Sequence, residues 1–288
     1  MADQMAELMR RMPTKEFTAE LPTEKVEEFL ERGFTGMNRV TTDEEVEWLR
    51  EVYDCLFSGE LDLMPGVLVN DVNRPLGKQR GQTISQLLRP EILYPELKHT
   101  VFYRNTQRMA RRLFGDERRL DCWGHMVRKA PRDQDIVPWH QDEAYWDPSF
   151  DYEGAGFWMP LDPATMESGA MSFIPGSHRG DVLRHGFMDD DPSITTLILL
   201  DEIDLSRAVP APVEIGGVSI HHNRTLHGSG PNATGNPRRA YINEWRRIPV
   251  KRDAPLDRPW YWRKLDARVE HNNRAASRAA ILAPAPVS

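Results

Sequence analysis

The feature that most limits the fold is a change of texture near Asp121. From there, apolar residues come in short runs broken by Pro and Gly, at 122–127, 156–161, 170–174, 194–200, 217–221 and 239–245. Several short strands separated by turn signals predict a sandwich or barrel. The first third reads differently. Pro22 and Thr23 open a segment with Val26, Phe29 and Leu30 on one face, stopped near Gly33. Thr42 with Glu45 three residues on reads as a capping box, ahead of Val46, Leu49, Val52, Tyr53 and Leu56 at helical spacing. A third helix is expected over 96–114, with Val101, Met109, Ala110 and Leu113 inward. The stretch 65–90 is polar and long for a structureless connection, so part of it is expected to form strand or line a site.

No Gly-, Ser- or charge-rich linker divides the two textures. One domain over 1–274 is therefore expected, with a helical front at about 22–114 packed on one sheet and a β-rich core at about 121–250. The fold class is α+β with a mainly β core. The Ala- and Pro-rich stretch 275–288 is expected to be disordered. A net charge of −7 argues against a general nucleic-acid role. Cys55 and Cys122 have no metal-cage spacing, and two lone thiols suit a reducing compartment. The first residues lack the apolar run of a secretory signal, and nothing approaches the ~20 apolar residues that cross a bilayer. The expectation is a soluble cytoplasmic protein acting on a small molecule, with no nucleic-acid or membrane partner.

The chemistry centres on His140-Gln141-Asp142. Along a strand, residues i and i+2 face one way, so His140 and Asp142 can address one ion while Gln141 faces away. Such a pair arises about once by chance in a chain of this composition. The metal needs a further protein ligand, which His227 can supply; His221 and His222 are nearby alternatives. Two histidines and a carboxylate on one side leave open positions that suit iron(II) binding a cosubstrate and oxygen. Downstream, Arg238 and Arg239 offer a guanidinium fork matched to a carboxylate.

Taken together, His140-x-Asp142, Pro175-Gly176-Ser177-His178, His227-Gly228-Ser229-Gly230-Pro231-Asn232 and Arg238 resemble the phytanoyl-CoA dioxygenase family of iron(II)/2-oxoglutarate oxygenases. The opening Phe29-Leu30-Glu31-Arg32-Gly33-Phe34 is similar to that family's usual start, so the resemblance covers about 23–245. It implies a double-stranded β-helix, a jelly-roll or cupin-like barrel. It implies iron on His140, Asp142 and His227, with 2-oxoglutarate and O2 as cosubstrates. It further implies that Arg238 holds the 5-carboxylate of 2-oxoglutarate with help from the Ser229 hydroxyl, and that the His178 motif is structural. Arg239, one position on, competes; alternation turns it to the other face from Arg238, and the family's spacing favours Arg238.

The implied reaction is hydroxylation of an unactivated C–H bond with release of succinate and CO2. Retention of Asp142 disfavours a halogenase. Tyr145, Trp158 and Met171 are expected in the substrate or cosubstrate wall, while Arg128 and Arg246 are candidates for an anionic substrate group. His125 faces either the pocket or the interior. The remaining C-terminal basic residues read as a solvated face. Two other readings share the ligands: a catalytically silent metal-binding barrel acting as a sensor or interaction protein, which needs no Arg238, and a zinc hydrolase using Glu143 as base.

Overall fold

Strand β14 (Arg238–Arg247) sets the plan of the computed structural model, which describes residues 2–58, 68–75, 84–115 and 119–282. Successive strand side chains point to opposite faces. Arg238, Ala240, Ile242, Glu244 and Arg246 form one row; Arg239, Tyr241, Asn243, Trp245 and Arg247 form the other. The strand lies within a seven-stranded antiparallel sheet. Its order is β1 (Phe34–Met37), β12 (Val218–His222), β7 (Gly154–Pro160), β14, β4 (Leu120–Lys129), β3 (Ile84–Leu88) and β2 (Leu68–Asp71). A four-stranded antiparallel sheet, β11 (Val209–Ala211), β8 (Met171–Phe173), β13 (His227–Ser229) and β5 (Val137–His140), lies opposite. Phe34, Trp158, Ala240 and Ile242 of the large sheet pack with Met171 and Phe173 of the small one, closing the expected double-stranded β-helix. Two short pairs, β9 (His185–Phe187) with β10 (Leu197–Leu199) and β6 (Phe150–Asp151) with β15 (Val250–Lys251), flank it.

The outer face of the large sheet carries the helices. Tyr241, Trp245, Met126, Phe157, Met159, Val218 and Ile220 share one apolar cluster with residues of α3 (Asp43–Ser58) and α5 (Val101–Phe114). The Trp245 indole and the Asn243 amide both donate to Thr106 Oγ1 of α5, each at 3.0 Å. With one face on helices and the other on the barrel interior, β7 is buried along its whole length. This explains why its sequence does not alternate apolar with polar.

The helix α2 (Thr23–Arg32) ends where the sequence indicates. Gly33 takes φ 84° and its N–H caps Phe29 O at 2.8 Å, a conformation that disfavours other residues. Two helices went unread. The first, α1 (Ala2–Arg10), packs on α3, where the Trp48 indole donates to Leu8 O at 2.7 Å. The other, α6 (Pro259–Leu282), crosses the basic stretch read as a solvated face and continues through 275–282, where disorder was expected; 283–288 lie outside the described residues. A four-residue helix, α4 (Pro90–Leu93), precedes a 3-10 turn (Pro95–His99). The expected helix over 96–114 therefore divides at Thr100, whose hydroxyl caps Tyr103 N–H. Within 65–90, β2 and β3 form as strands, and 65–67 and 76–83 lie outside the described residues. Among the described residues no helix is long and apolar enough to cross a membrane.

The capping box at Thr42 is half formed. Glu45 N–H donates to Thr42 Oγ1 at 3.1 Å, but the Glu45 carboxylate does not return to that helix start. It accepts instead from the Thr41 hydroxyl at 2.6 Å and from Val101 and Phe102 N–H at 2.5 and 2.8 Å. A fully buried carboxylate of α3 thus caps α5 and joins the two helices that cover the sheet. Glu45→Ala is expected to lower unfolding free energy by about 2–3 kcal/mol. Urea denaturation checks this; a loss below about 0.5 kcal/mol would show the cap to be dispensable.

Candidate metal centre

His140 ends β5 directly opposite His227 on β13, and the pairing brings their rings to 4.2 Å between centroids. The strand stops there, but Gln141 remains extended (φ −122°, ψ 133°). The alternation therefore runs one residue further and delivers Asp142, the first residue of a 3-10 turn (Asp142–Tyr145), to the same side. Gln141 faces away, as expected. Its fully buried amide donates to Arg224 O and accepts from Leu183 N–H, both at 2.8 Å.

Asp142 Oδ1 lies 3.5 Å from His140 Nε2 and 3.7 Å from His227 Nε2, so these atoms form a group able to hold one metal ion. The other ring nitrogens are committed. His140 Nδ1 is 2.8 Å from Pro138 O and His227 Nδ1 is 3.0 Å from Thr225 O. A carbonyl only accepts, so each Nδ1 carries the proton and each Nε2 lone pair is left for a metal. Burial, then the facing His140, lowers the His227 pKa to about 3, which keeps its imidazole neutral. Burial raises the Asp142 pKa, but His227, His140 and His221 outweigh it and hold the carboxyl well below the usual range. The donor set is thus two imidazoles that each turn Nε2 to the site and an ionised carboxylate, which fits iron(II).

His221, an alternative ligand in the sequence, sits against this group. Its Nε2 is 3.1 Å from Asp142 Oδ2, the oxygen not shared with the other rings. The space for it comes from Gly156, where a Cβ would lie 2.9 Å from the imidazole. Its neighbour His222 points to the other side, toward Phe29 and His178. His178 itself reaches Leu30 O at 3.2 Å and joins α2 to the barrel.

A cavity of about 290 Å³ opens over these ligands. At one end is Arg238, whose guanidinium is buried, faces Trp158 at 5.1 Å and leaves Nε without a partner. Burial lowers its pKa to about 10, which still leaves it charged at neutral pH. Arg239 points outward to Asp162 and Asp54 at 2.8 and 2.9 Å, so the neighbouring guanidinium is already satisfied. Ser229, Met171 and Ile242 line the same cavity as Arg238 and Trp158. A buried guanidinium with no carboxylate partner among the described residues, in a cavity that Ser229 also lines, fits the far carboxylate of a dicarboxylate chelating the metal.

Tyr145, Trp158 and Met171 all line this cavity. Arg128 does not: it is next to cavity-lining Val127 on β4, and alternation puts it on the opposite face. Arg246 lines a separate pocket, covered by Trp123, Trp146 and Tyr152 and 3.5 Å from Asp121. His125 does line the metal cavity, bonded to Gln86 at 2.9 Å, and burial lowers its pKa to about 4. Gln86, Ile84 and Leu88 on β3 and Val72 beyond β2 also line it, so the stretch at 65–90 does supply pocket residues.

The family model for phytanoyl-CoA dioxygenase matches residues 29–240. The chain belongs to that family. Among curated proteins, a probable alpha-ketoglutarate-dependent hypophosphite dioxygenase of Stutzerimonas stutzeri is 27% identical over 215 residues, covering 73% of each chain. Among solved structures, EvdO2 from Micromonospora carbonacea var. aurantiaca, complexed with 2-oxoglutarate, is 37% identical with a TM-score of 0.74. That match covers 85% of this chain and 99% of EvdO2. The carbocyclase SnoK from nogalamycin biosynthesis, 22% identical with a TM-score of 0.61 over 84% of this chain and 91% of its own, shares the fold.

His221→Phe is expected to weaken iron(II) binding about 10- to 100-fold, because Asp142 loses the group that orients it. His140→Ala, Asp142→Ala and His227→Ala are expected to abolish binding. Anaerobic titration calorimetry measures all four; wild-type affinity in His221→Phe would show that Asp142 is held without it.

Proposed function

We propose that this dioxygenase of the iron(II)/2-oxoglutarate type hydroxylates an unactivated C–H bond of a small-molecule metabolite. The observation that carries the reading is the pairing of a His-Asp-His donor set with one buried guanidinium that has no carboxylate partner among the described residues, in the same cavity. When bound, iron(II) and 2-oxoglutarate supply the oxidising power, and the cosubstrate leaves as succinate and CO2.

The protein's part is to hold and orient. His140, Asp142 and His227 would ligate the ion from one side and leave the opposite side open to the cavity. Pro138 O and Thr225 O fix the two imidazole tautomers, and His221 fixes the carboxylate. Arg238 would pair with the far carboxylate of 2-oxoglutarate, and Ser229 would add a hydroxyl contact. Trp158 and Met171 form an apolar wall there that excludes water and strengthens the ion pair. Tyr145 is steadied by Leu197 N–H, which donates to its hydroxyl at 2.9 Å, and presents its ring edge-on to His140 at 5.8 Å. It would form part of the substrate wall.

A hydrolytic reading needs Glu143 as base. That side chain is buried and bonded to Arg258 at 2.8 Å, and it does not line the cavity. A silent barrel has no use for a buried Arg238, whose desolvation is costly without an anionic partner.

Arg238→Gln is expected to weaken 2-oxoglutarate about 10- to 100-fold, the loss of a charge-assisted pair, while iron(II) affinity stays within about twofold. Cosubstrate affinity equal to wild type would remove Arg238 from this role. Substrate-free succinate release by the wild type, absent in His227→Ala, would separate turnover from mere binding.

A further inference from the structure

The helix α6 lies beyond the family-matched residues 29–240, yet it reaches the metal cavity. It is anchored on the turn that carries Asp142. The Arg258 guanidinium, just before the helix, donates to Glu143 O and Oε1, each at 2.8 Å. The Trp260 indole donates to Ala144 O at 2.9 Å. Lys264 donates to Thr195 O and stands 4.4 Å above the Tyr145 ring. Trp260, Lys264 and Arg268 recur every four residues and share one helix face. The third, Arg268, lines the cavity that contains His140, Asp142 and His227.

Arg268 differs from the other arginines between 246 and 268. Arg246 pairs with Asp121, Arg247 with Glu153, Arg252 with Asp151, Arg258 with Glu143 and Arg263 with Asp190. Arg268 has no carboxylate partner among the described residues; the ionisable groups acting on it are the phenols of Tyr145 and Tyr261, and it in turn acts on Lys264. Glu244, which with Asp142 supplies the carboxyls lining the cavity among the described residues, forms no ion pair with Arg268, and burial and the Asp142 carboxylate push it well above the usual carboxylate range. A partly buried cation without an anion is costly, and a bidentate oxyanion would offset that cost. The cosubstrate does not supply it. Iron(II), the Asp142 carboxylate, doubly charged 2-oxoglutarate and Arg238 together are electrically neutral, which leaves the Arg268 charge unmatched.

We propose that Arg268 is the specificity-determining anchor of the primary substrate, which carries a carboxylate, phosphate, phosphonate or sulfate group. The anionic end pairs with the guanidinium while the reacting carbon lies over His140, Asp142 and His227. Tyr145 and the Thr195–Thr196 segment form the wall between. This rests on the oxygenase reading above for the position of the reacting carbon.

The test is anaerobic titration calorimetry on the full chain loaded with iron(II) and saturating 2-oxoglutarate. The probes are phenylphosphonate, benzoate and the neutral benzamide. The wild type is expected to bind at least one anion about tenfold or more tightly than benzamide. Arg268→Gln is expected to abolish that preference, and Arg268→Lys to keep part of it. Both variants should bind 2-oxoglutarate within about twofold of wild type, since that carboxylate belongs to Arg238. The proposal is overturned if the wild type shows no preference for either anion, or if Arg268→Gln retains it. It is also overturned if Arg268→Gln loses 2-oxoglutarate as Arg238→Gln is expected to. Failure of the oxygenase reading looks different: 2-oxoglutarate would not bind the wild type, or Arg238→Gln would bind it unchanged. The anion preference and its dependence on Arg268 would still be measurable.

Discussion

A half-buried carboxylate held among three imidazoles is the interaction on which the rest of this structure depends. Asp142 stays ionised in a place where burial favours the neutral acid, because His227, His140 and His221 face it. That arrangement needs strands from both sheets at once. His140 and His227 come from adjacent strands of the small sheet, while His221 reaches in from the large one. The backbone carbonyls of Pro138 and Thr225 then decide which nitrogen each ligand presents. The site is therefore set by the packing of the two sheets and by backbone groups, as well as by its three ligands.

The division of the large sheet into two faces explains both stability and chemistry. The outward row of β14 enters the helical core through Tyr241 and Trp245; the inward row carries Arg238, Ile242 and Glu244 to the cavity. A one-residue slip would exchange the rows, burying Arg239 and expelling Arg238. Long ladders on both sides of β14 resist that slip. The same parity excludes Arg128 from the cavity and admits His125 and Val127.

Much of this was legible in the sequence, for identifiable reasons. The spacing of His140 and Asp142 follows strand alternation, a local property; alternation also puts Arg238 and Arg239 on opposite faces, and the family resemblance is what favoured Arg238. The barrel was foreshadowed by short strands between turns, and the stop of α2 by Gly33. What was hidden depends on contacts between distant residues. The Glu45 carboxylate looked like half of a local cap, yet it binds N–H groups more than fifty residues away. The docking of α6 rests on Arg258, Trp260 and Lys264 meeting residues 69 to 116 positions earlier. In sequence that stretch shows only dispersed charge, and so Arg268 was indistinguishable from its solvated neighbours. A helical repeat of Trp260, Lys264 and Arg268 was the available signal, and it was too sparse to separate from chance.

The most direct measurement is anomalous diffraction at the iron edge, from crystals grown anaerobically with iron(II) and 2-oxoglutarate. The account predicts a single strong peak within bonding distance of His140 Nε2, an Asp142 oxygen and His227 Nε2, with the cosubstrate's far carboxylate on Arg238. Iron bound elsewhere, or a cosubstrate lying away from Arg238, would contradict it.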